Sequence, residues 1–218
     1  MKIISTPLRH ALRATSVIAA FALAGCGGGG SSSTDAVAAA PTAGAGSGNG
    51  SGSAPAAPAA PSNPAATAVT AGSTCNISAF AATALDRINA VRAAGADCHT
   101  GGRFAWAAPL TWNAKLTQAA EGHSQDMVAN KFFSHTGSNG STLSTRVNAT
   151  GYVWGGLGEN IAAGYIGIDS VMAGWVASDG HCANLMNPNF KEVGLVCVPG
   201  TATTAVSSYW TMDLGASN

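Results

Sequence analysis

Charged side chains are scarce in this chain of 218 residues: Asp, Glu, Lys and Arg make up 9% of it, and aromatic residues only 6%. Beyond Cys26 there are seven basic residues against ten acidic ones, a formal net charge of −3. Without a basic patch, binding to nucleic acid has no electrostatic basis, and we expect no nucleic-acid partner. No apolar run is long enough to span a bilayer as a helix. No C-x-x-C pair is present, which weighs against a cysteine-rich metal site.

The first 25 residues have the layout of a signal peptide. Lys2, Arg9 and Arg13 precede an uncharged apolar run over residues 14–24, and the run ends in Leu-Ala-Gly-Cys. This ending resembles the lipobox of bacterial lipoproteins, in which the cysteine is lipidated and the chain is cleaved just before it. We therefore expect lipidation at Cys26, with the membrane as a partner through the lipid alone. An ordinary secretory signal with an incidental cysteine is the alternative.

Residues 26–74 form a predicted disordered tether. They are almost wholly Gly, Ser, Ala, Pro and Thr, and Asp35 is their only charged residue. Such a segment cannot bury enough apolar surface to offset the entropy lost on ordering. Gly27, rather than Asp, follows the cysteine, which is compatible with outer-membrane sorting. We expect an exported protein, membrane-anchored or extracellular, with one folded domain over residues 75–218.

Four cysteines remain for that domain: Cys75, Cys98, Cys182 and Cys197. An even number in an oxidising compartment favours two disulfides, and three pairings exist. We favour Cys75–Cys98 with Cys182–Cys197, because each pair encloses one helix-plus-loop unit of modest length.

Hydrophobic periodicity predicts three main helices. The first starts near Ile77 and ends at Gly95, the second follows Asn113 as its N-cap, and the third is capped by Asp169. Alternating β-branched and aromatic residues predict strands over residues 193–198 and 207–214. Helices first and strands late, with no β-α-β rhythm, favour an α+β domain whose helices pack on a mainly antiparallel sheet.

Three polar residues stand in short motifs: His135 ends Phe-Phe-Ser-His, Glu159 lies in Gly-Glu-Asn-Ile, and His181 ends Ser-Asp-Gly-His. Each alone fits a structural role. In this order they resemble the signature of the CAP superfamily, also called SCP, which includes cysteine-rich secretory proteins, antigen 5 and plant pathogenesis-related proteins. The resemblance spans about residues 77–215 and includes four further segments: PLTWN (109–113), AEGHSQDM (120–127), NPNF (187–190) and YWTMD (209–213).

The resemblance implies a three-layer α-β-α sandwich with a surface cleft lined by two histidines and two acidic residues, which in many members bind a divalent metal, commonly zinc. His135, Glu159 and His181 match three of these positions. The fourth falls on Ser178 instead of a glutamate, and the loss of a carboxylate should weaken metal affinity. Asp179 is the second-choice ligand.

Three chemistries compete for this cleft. A metal site would use His135 and His181 as ligands, with Glu159 as a ligand or as the base on a bound water. A metal-free site would pair the Ser178 hydroxyl with the His181 imidazole. A cleft that only binds is the third. We expect a monomeric, lipid-anchored module that binds an envelope or extracellular ligand. The alternatives are a metal-assisted hydrolase of peptide, peptidoglycan or lipid, and a structural or adhesive display domain.

Several other polar and aromatic residues are expected to be structural. His123 lies on the apolar stripe of the second helix, where we expect a core histidine bonded to backbone. Asn160 is expected to close the turn after Glu159 with side-chain to backbone bonds. The expected core tryptophans are Trp112, Trp175 and Trp210.

Overall fold

A computed structural model of the protein describes residues 36–39 and 70–217, all within the compact unit Ser33–Asn218. The predicted signal peptide, Cys26 and most of the predicted tether lie outside these ranges, and what the sequence predicts for them stays a prediction. Within the tether, Ala36–Ala39 form a short strand, β1, which pairs in parallel with residues 160–163. An edge strand presents unpaired backbone groups to which such an extended segment can bind. The continuous fold starts at Thr70, followed by the 3-10 helix Ala71–Ser73.

Five α-helices lie in the described residues. They are α1 (Phe80–Ala94), α2 (Ala114–Asn130), α3 (Leu143–Ala149), α4 (Ile168–Val176) and α5 (Asp179–Met186). A second 3-10 helix spans His99–Gly101. None of the helices in residues 70–217 is long and apolar enough to cross a membrane.

The ends of the first two helices follow the predicted local chemistry. Asn113 is the N-cap of α2, and its side-chain oxygen accepts hydrogen bonds from the backbone of Lys115 (2.9 Å) and Leu116 (3.2 Å). Gly95 ends α1 at φ +78° and donates to Val91 O at 3.1 Å. The predicted cap at Asp169 is wrong. Gly167 is the N-cap of α4, because Ile168 already belongs to the buried face of the helix, and the Asp169 side chain pairs with Arg87 instead.

The strands after β1 are β2 (Ala96–Asp97), β3 (Arg103–Phe104), β4 (Thr111–Trp112), β5 (Trp154–Ala163), β6 (Glu192–Pro199) and β7 (Ser208–Ser217). Strands β2 and β3 form a small antiparallel pair. The main sheet has the order β1-β5-β7-β6-β4. Its three long strands are antiparallel, whereas the short outer strands β1 and β4 run parallel to their neighbours. The last strand of the chain, β7, is therefore the central strand.

Side-chain alternation along β7 separates the two faces of the sheet. Trp210, Met212 and Leu214 lie in the main core, which also contains the apolar faces of α1, α4 and α5. Thr211 points to the other face, where its hydroxyl lies 2.7 Å from Ser124 of α2. The domain is thus an α-β-α sandwich, and this confirms the predicted α+β class and layer order. The expected core tryptophans are all buried: Trp112, Trp175 and Trp210.

The predicted disulfide pairing is wrong. The bonds are Cys75–Cys197 and Cys98–Cys182, with Cα–Cα distances of 5.3 and 5.4 Å. Cys75 and Cys98 lie at opposite ends of α1, whose 15 residues span about 22 Å, far beyond the reach of one disulfide. Cys75 instead runs beside β6, where its backbone donates to Cys197 O at 3.0 Å. Proximity along the chain is therefore a poor guide when a rigid helix separates two cysteines.

A buried arginine fixes the helix that carries His181. Arg92 of α1 has no exposed surface, and in the described residues its guanidinium donates to four backbone carbonyls. The acceptors are Ala108 (2.7 Å), Leu185 (2.6 Å), Asn187 (3.1 Å) and Phe190 (3.4 Å). Burial lowers the pKa of Arg92 to about 10, so the group remains charged at neutral pH. Its charge stabilises the C-terminal carbonyls of α5, which a helix leaves unpaired.

Candidate functional site

Glu159 is the centre of a buried ion-pair network on the α2 side of the sheet. Its side chain is only 4% exposed, and each carboxylate oxygen has its own partner. His135 Nδ1 lies 2.7 Å from Oε1, and Arg146 Nη2 of α3 lies 2.5 Å from Oε2. The second Arg146 nitrogen, Nη1, donates to the carbonyls of His135 (3.1 Å) and Ser141 (3.0 Å). Arg146 therefore ties the loop that carries His135 to strand β5.

The loop reaches this position because of the residues that precede His135. Helix α2 ends where Lys131 adopts a left-handed conformation (φ +56°), and Phe132 then donates back to Met127 O at 3.1 Å. Phe132 and Phe133 pack against the cluster formed by Met127, Ile161 and Tyr209. The two aromatic residues thus anchor the backbone next to His135.

Opposing effects set the charge of Glu159. Burial, the largest influence, raises its pKa, but the hydrogen bond from His135 and the positive charge of Arg146 outweigh it and hold the pKa below its usual value. The carboxylate therefore stays ionised at neutral pH and is a weak base.

A second carboxyl group faces Glu159 from the neighbouring strand. Asp213 of β7 stands opposite Glu159 in the antiparallel register and has no exposed surface. No donor among the described residues makes a hydrogen bond to either of its oxygens. Burial and then the charge of Glu159 raise the pKa of Asp213 well above its usual value. Both effects favour the protonated form of Asp213, whose proton would be donated to the Glu159 carboxylate.

His123 of α2 lies close enough to this network to respond to its charges. The ring is fully buried and packs edge-on against Phe132, with a centroid distance of 6.4 Å. Burial lowers the pKa of His123, and the charge of Glu159 opposes this shift. The core position is as predicted. The predicted backbone hydrogen bond is not formed with normal geometry to either ring nitrogen within the described residues, although the Ser134 carbonyl is near enough to favour the protonated ring.

His181 belongs to a different contact. It lies in the first turn of α5, fully buried, and its Nδ1 is 2.8 Å from the hydroxyl of Ser178, the N-cap residue of that helix. The contact between Ser178 and His181 on which the metal-free alternative depends is therefore present, and it lies across the start of a helix. Asn160 donates to the His181 carbonyl at 3.0 Å and so links β5 to α5, instead of closing its own turn as expected.

Asp179, the second-choice ligand, points away from both contacts. Its carboxylate accepts a hydrogen bond from Thr100 and lies 3.5 Å from His99 Nδ1. The Thr100 hydroxyl lowers the pKa of Asp179. His99 itself is exposed.

The geometry around Glu159 bears on the predicted metal site. Across residues 36–39 and 70–217, no group of three or more His, Cys, Asp or Glu side chains is placed to hold a metal. A guanidinium already occupies one Glu159 oxygen at 2.5 Å, and its positive charge opposes the approach of a cation. Metal binding by His135, Glu159 and His181 stays a prediction from the resemblance.

Two functional-site residues, Arg146 and Asp213, have no role in the sequence-based prediction. Asp213 offered a signal, because an acid within the apolar run Tyr-Trp-Thr-Met-Asp-Leu requires either a partner or a proton. The only feature of the sequence that could have drawn attention to Arg146 is the scarcity of basic residues, since it is one of seven beyond Cys26. Its pairing with Glu159 is a tertiary contact that local sequence does not encode.

A sequence model of the Cysteine-rich secretory protein (CAP) family matches residues 85–214, which is well over half of the chain. The chain belongs to this family. The matched range contains all of the residues discussed above: His135, Arg146, Glu159, His181 and Asp213.

Two curated relatives come from Bacillus subtilis strain 168. The uncharacterized membrane protein YlbC is 33% identical over 88 residues, covering 40% of this chain and 25% of YlbC. The uncharacterized protein YkwD is 32% identical over 87 residues, covering 40% of this chain and 34% of YkwD. The match thus spans a quarter to a third of the length of these relatives.

Two solved structures are also similar to part of the chain. An extracellular protein containing a SCP domain from Bacillus anthracis str. Ames is 28% identical, with a TM-score of 0.49 over 62% of this chain and 39% of that protein. An outer surface protein from Borrelia burgdorferi is 19% identical, with a TM-score of 0.45 over 50% of this chain and 78% of that protein.

Proposed function

We propose that this protein is an exported, lipid-anchored CAP domain that binds a ligand of the cell envelope and is not a metalloenzyme. The proposal that it is not a metalloenzyme is carried by one observation: both carboxylate oxygens of Glu159 already have partners, His135 on one and Arg146 on the other. A general base works best with a pKa near the operating pH. The pKa of Glu159 is lowered instead, which favours an ion-paired anchor over a proton acceptor.

The network has a mechanical role in this proposal. Arg146 bonds to the carbonyls of His135 and Ser141 as well as to Glu159, so one side chain holds the whole loop against the sheet. A loop held in this way presents its surface in one conformation, which reduces the entropy lost when a ligand binds.

Metal titration with thermal melting tests the absence of a resident metal. A metal that binds only the native state must raise the melting temperature. We expect zinc to leave the melting temperature of the wild-type domain unchanged, as in the double variant His135→Ala/His181→Ala. A zinc-dependent rise that the double variant lacks would restore the metal site and, with it, the metal-assisted hydrolase.

Co-sedimentation tests envelope binding. Purified peptidoglycan sacculi and phospholipid vesicles serve as separate probes for the Cys26→Ser protein, which cannot carry the lipid, in buffer containing a chelator. We expect co-sedimentation with sacculi and none with vesicles, because the part of the chain beyond Cys26 is acidic. Failure to sediment with either probe contradicts the proposed function.

The anchor is tested on the full chain. Cys26→Ser should move the protein from the membrane fraction to the soluble extracytoplasmic fraction, because a lipid attached to this thiol is the proposed means of attachment. Cys26→Ser protein that stays in the membrane fraction would contradict it.

One observation favours a second candidate, a metal-free hydrolase. The Ser178 hydroxyl lies 2.8 Å from His181 Nδ1, which is within the range of an activated nucleophile. A fluorophosphonate probe reports such activation. Covalent labelling of the wild type that Ser178→Ala abolishes would support catalysis, and we expect no labelling.

A further inference from the structure

The outer edge of β5 holds a strand that comes from far away in the chain. Ala36–Ala39 pair in parallel with residues 160–163, and Val37 lies opposite Ile161. Thirty residues, 40–69, separate this strand from the start of the continuous fold. The pairing has the form of strand addition, in which an extended peptide adds one strand to the edge of a folded sheet and backbone hydrogen bonds provide the affinity.

The docking site on this edge is short, and both of its ends are defined. Before residue 160, the carbonyl of Glu159 accepts a hydrogen bond from the side chain of Asn184 in α5 at 3.2 Å. After residue 163, Gly164 adopts φ +81°, and β5 ends there. The edge between these two points pairs with four residues of an extended segment, which is the length of β1.

The sequence explains why this part of the predicted tether pairs with the sheet. Residues 31–40 are the longest stretch between Cys26 and Thr70 that contains neither glycine nor proline, and Pro41 ends the stretch. Both residue types are unfavourable in strands, whereas β-branched residues such as Val37 favour them. Of the tether segments, this one is therefore the best suited to extended pairing.

A pairing of this length is weak enough to be reversible. Four residues form only a few hydrogen bonds between strands, and each of these bonds contributes little net stability in water. Every residue that becomes ordered also loses backbone entropy. The linker of 30 residues keeps the segment near the edge at an effective concentration on the order of millimolar. The docked and released forms of the tether are therefore close in free energy.

We propose that the outer edge of β5 is a docking site for the protein's own tether, and that Ala36–Ala39 bind to it and leave it reversibly. Docking changes the length of chain available to the anchor. With the strand docked, residues 27–35 separate Cys26 from the edge and reach about 35 Å when fully extended. With the strand released, residues 27–69 lead to Thr70 and reach about 150 Å. This change of reach rests on the proposed lipid anchor, whereas the docking does not.

The test uses ¹⁵N-labelled Cys26→Ser protein, which cannot carry the lipid, and an unlabelled peptide with the sequence of residues 33–40, STDAVAAA, as the probe. Val37→Pro/Ala38→Pro should prevent docking, because a parallel strand bonds through alternate residues and adjacent prolines remove a donor from either set. We expect this proline variant to shift the amide signals of residues 160–163. The added peptide should return these signals to the positions seen before the substitution.

Competition measures whether the docked strand is released. With the tether otherwise intact, excess peptide should move the amide signals of Val37 and Ala38 to the positions seen in the free peptide. The apparent Kd of the peptide should be at least about twofold higher than for the proline variant, because the resident strand fills the edge and only the free fraction binds the peptide. Ala56→Pro/Ala57→Pro, the same change elsewhere in the tether, is the matched control and should not alter this Kd. A peptide that contains the two prolines should not bind.

Three outcomes overturn the inference: signals of residues 160–163 that the proline variant leaves unchanged, no restoration of these signals by the peptide, or Val37 and Ala38 signals that excess peptide does not move. Each of them would leave the lipid anchor standing, because cell fractionation tests the anchor separately. Cys26→Ser protein that stays in the membrane fraction would instead refute the anchor and the change of reach, and the docking would stand.

Discussion

Arg92 offers the sharpest test of how this domain is held together. The buried guanidinium donates to four carbonyls from two segments of chain, Ala108 and residues 185–190, and no carboxylate pairs with it in the part of the chain that the structure describes. Arg92→Met keeps the apolar stem but leaves those carbonyls buried and unpaired. Each such group costs about 1–3 kcal/mol. Because water will reach some of them, we expect a total loss of about 3–5 kcal/mol of unfolding free energy, the scale seen when a buried charge interaction is broken.

The measurement is urea unfolding followed by tryptophan fluorescence, since buried Trp175 and Trp210 report on the core. Arg87→Met is the matched control from the same helix. The Arg87–Asp169 pair is 52% and 77% exposed, so its loss should cost less than about 1 kcal/mol. The loss of unfolding free energy for Arg92→Lys should lie between the losses for Arg92→Met and Arg87→Met, because an ammonium group has three donors but lacks the planar geometry of a guanidinium. Equal losses for Arg92→Met and Arg87→Met would refute the reasoning.

Three further predictions concern charge and covalent bonds. Asp213→Asn should stabilise the domain by roughly 1–3 kcal/mol at pH 8. The pKa of Asp213 is raised in the folded state, so folding above pH 4 requires Asp213 to hold a proton that the unfolded chain releases. The stability gained by Asp213→Asn should therefore vanish near pH 4. Equal stability of the variant and the wild type at pH 8 would contradict this prediction. The lowered pKa of His123 means that the unfolded chain takes up a proton first as the pH falls below about 6.5, so melting temperature should decline there, and His123→Leu should flatten that decline. Non-reducing peptide mass mapping should find Cys75 joined to Cys197, and replacing both by Ala should cost about 3–5 kcal/mol for a 122-residue separation.

The sequence predicted the parts of the fold that local chemistry encodes. Asn113, the stripe around Met127 and the Phe132–Phe133 pair each act within about one helical turn, and the structure places them as expected. The two strands near the C-terminus were found as well, because alternation along a half-buried strand is also local.

The contacts that could not be predicted from the sequence are those between elements far apart in the chain. The disulfide pairing depends on the length of α1 and on where Cys75 meets β6, neither of which spacing reveals. The pairing of Arg146 with Glu159 joins a short helix to a strand, so no local pattern in the sequence indicates it. The sequence predicted one helix in this region, whereas the structure has two, α4 and α5, with Ser178 as the N-cap of the second.

The position of β7 has a consequence for how the domain is made. The strand in the middle of the sheet is the last to be synthesised, and both β5 and β6 need it for most of their backbone hydrogen bonds. Cys75 likewise waits for Cys197, and Cys98 for Cys182, before either disulfide can close. A chain emerging from its N-terminus therefore cannot complete the sheet until β7 has been made. Assembly of the sheet and closure of both disulfides therefore belong to one late step in the folding of this domain.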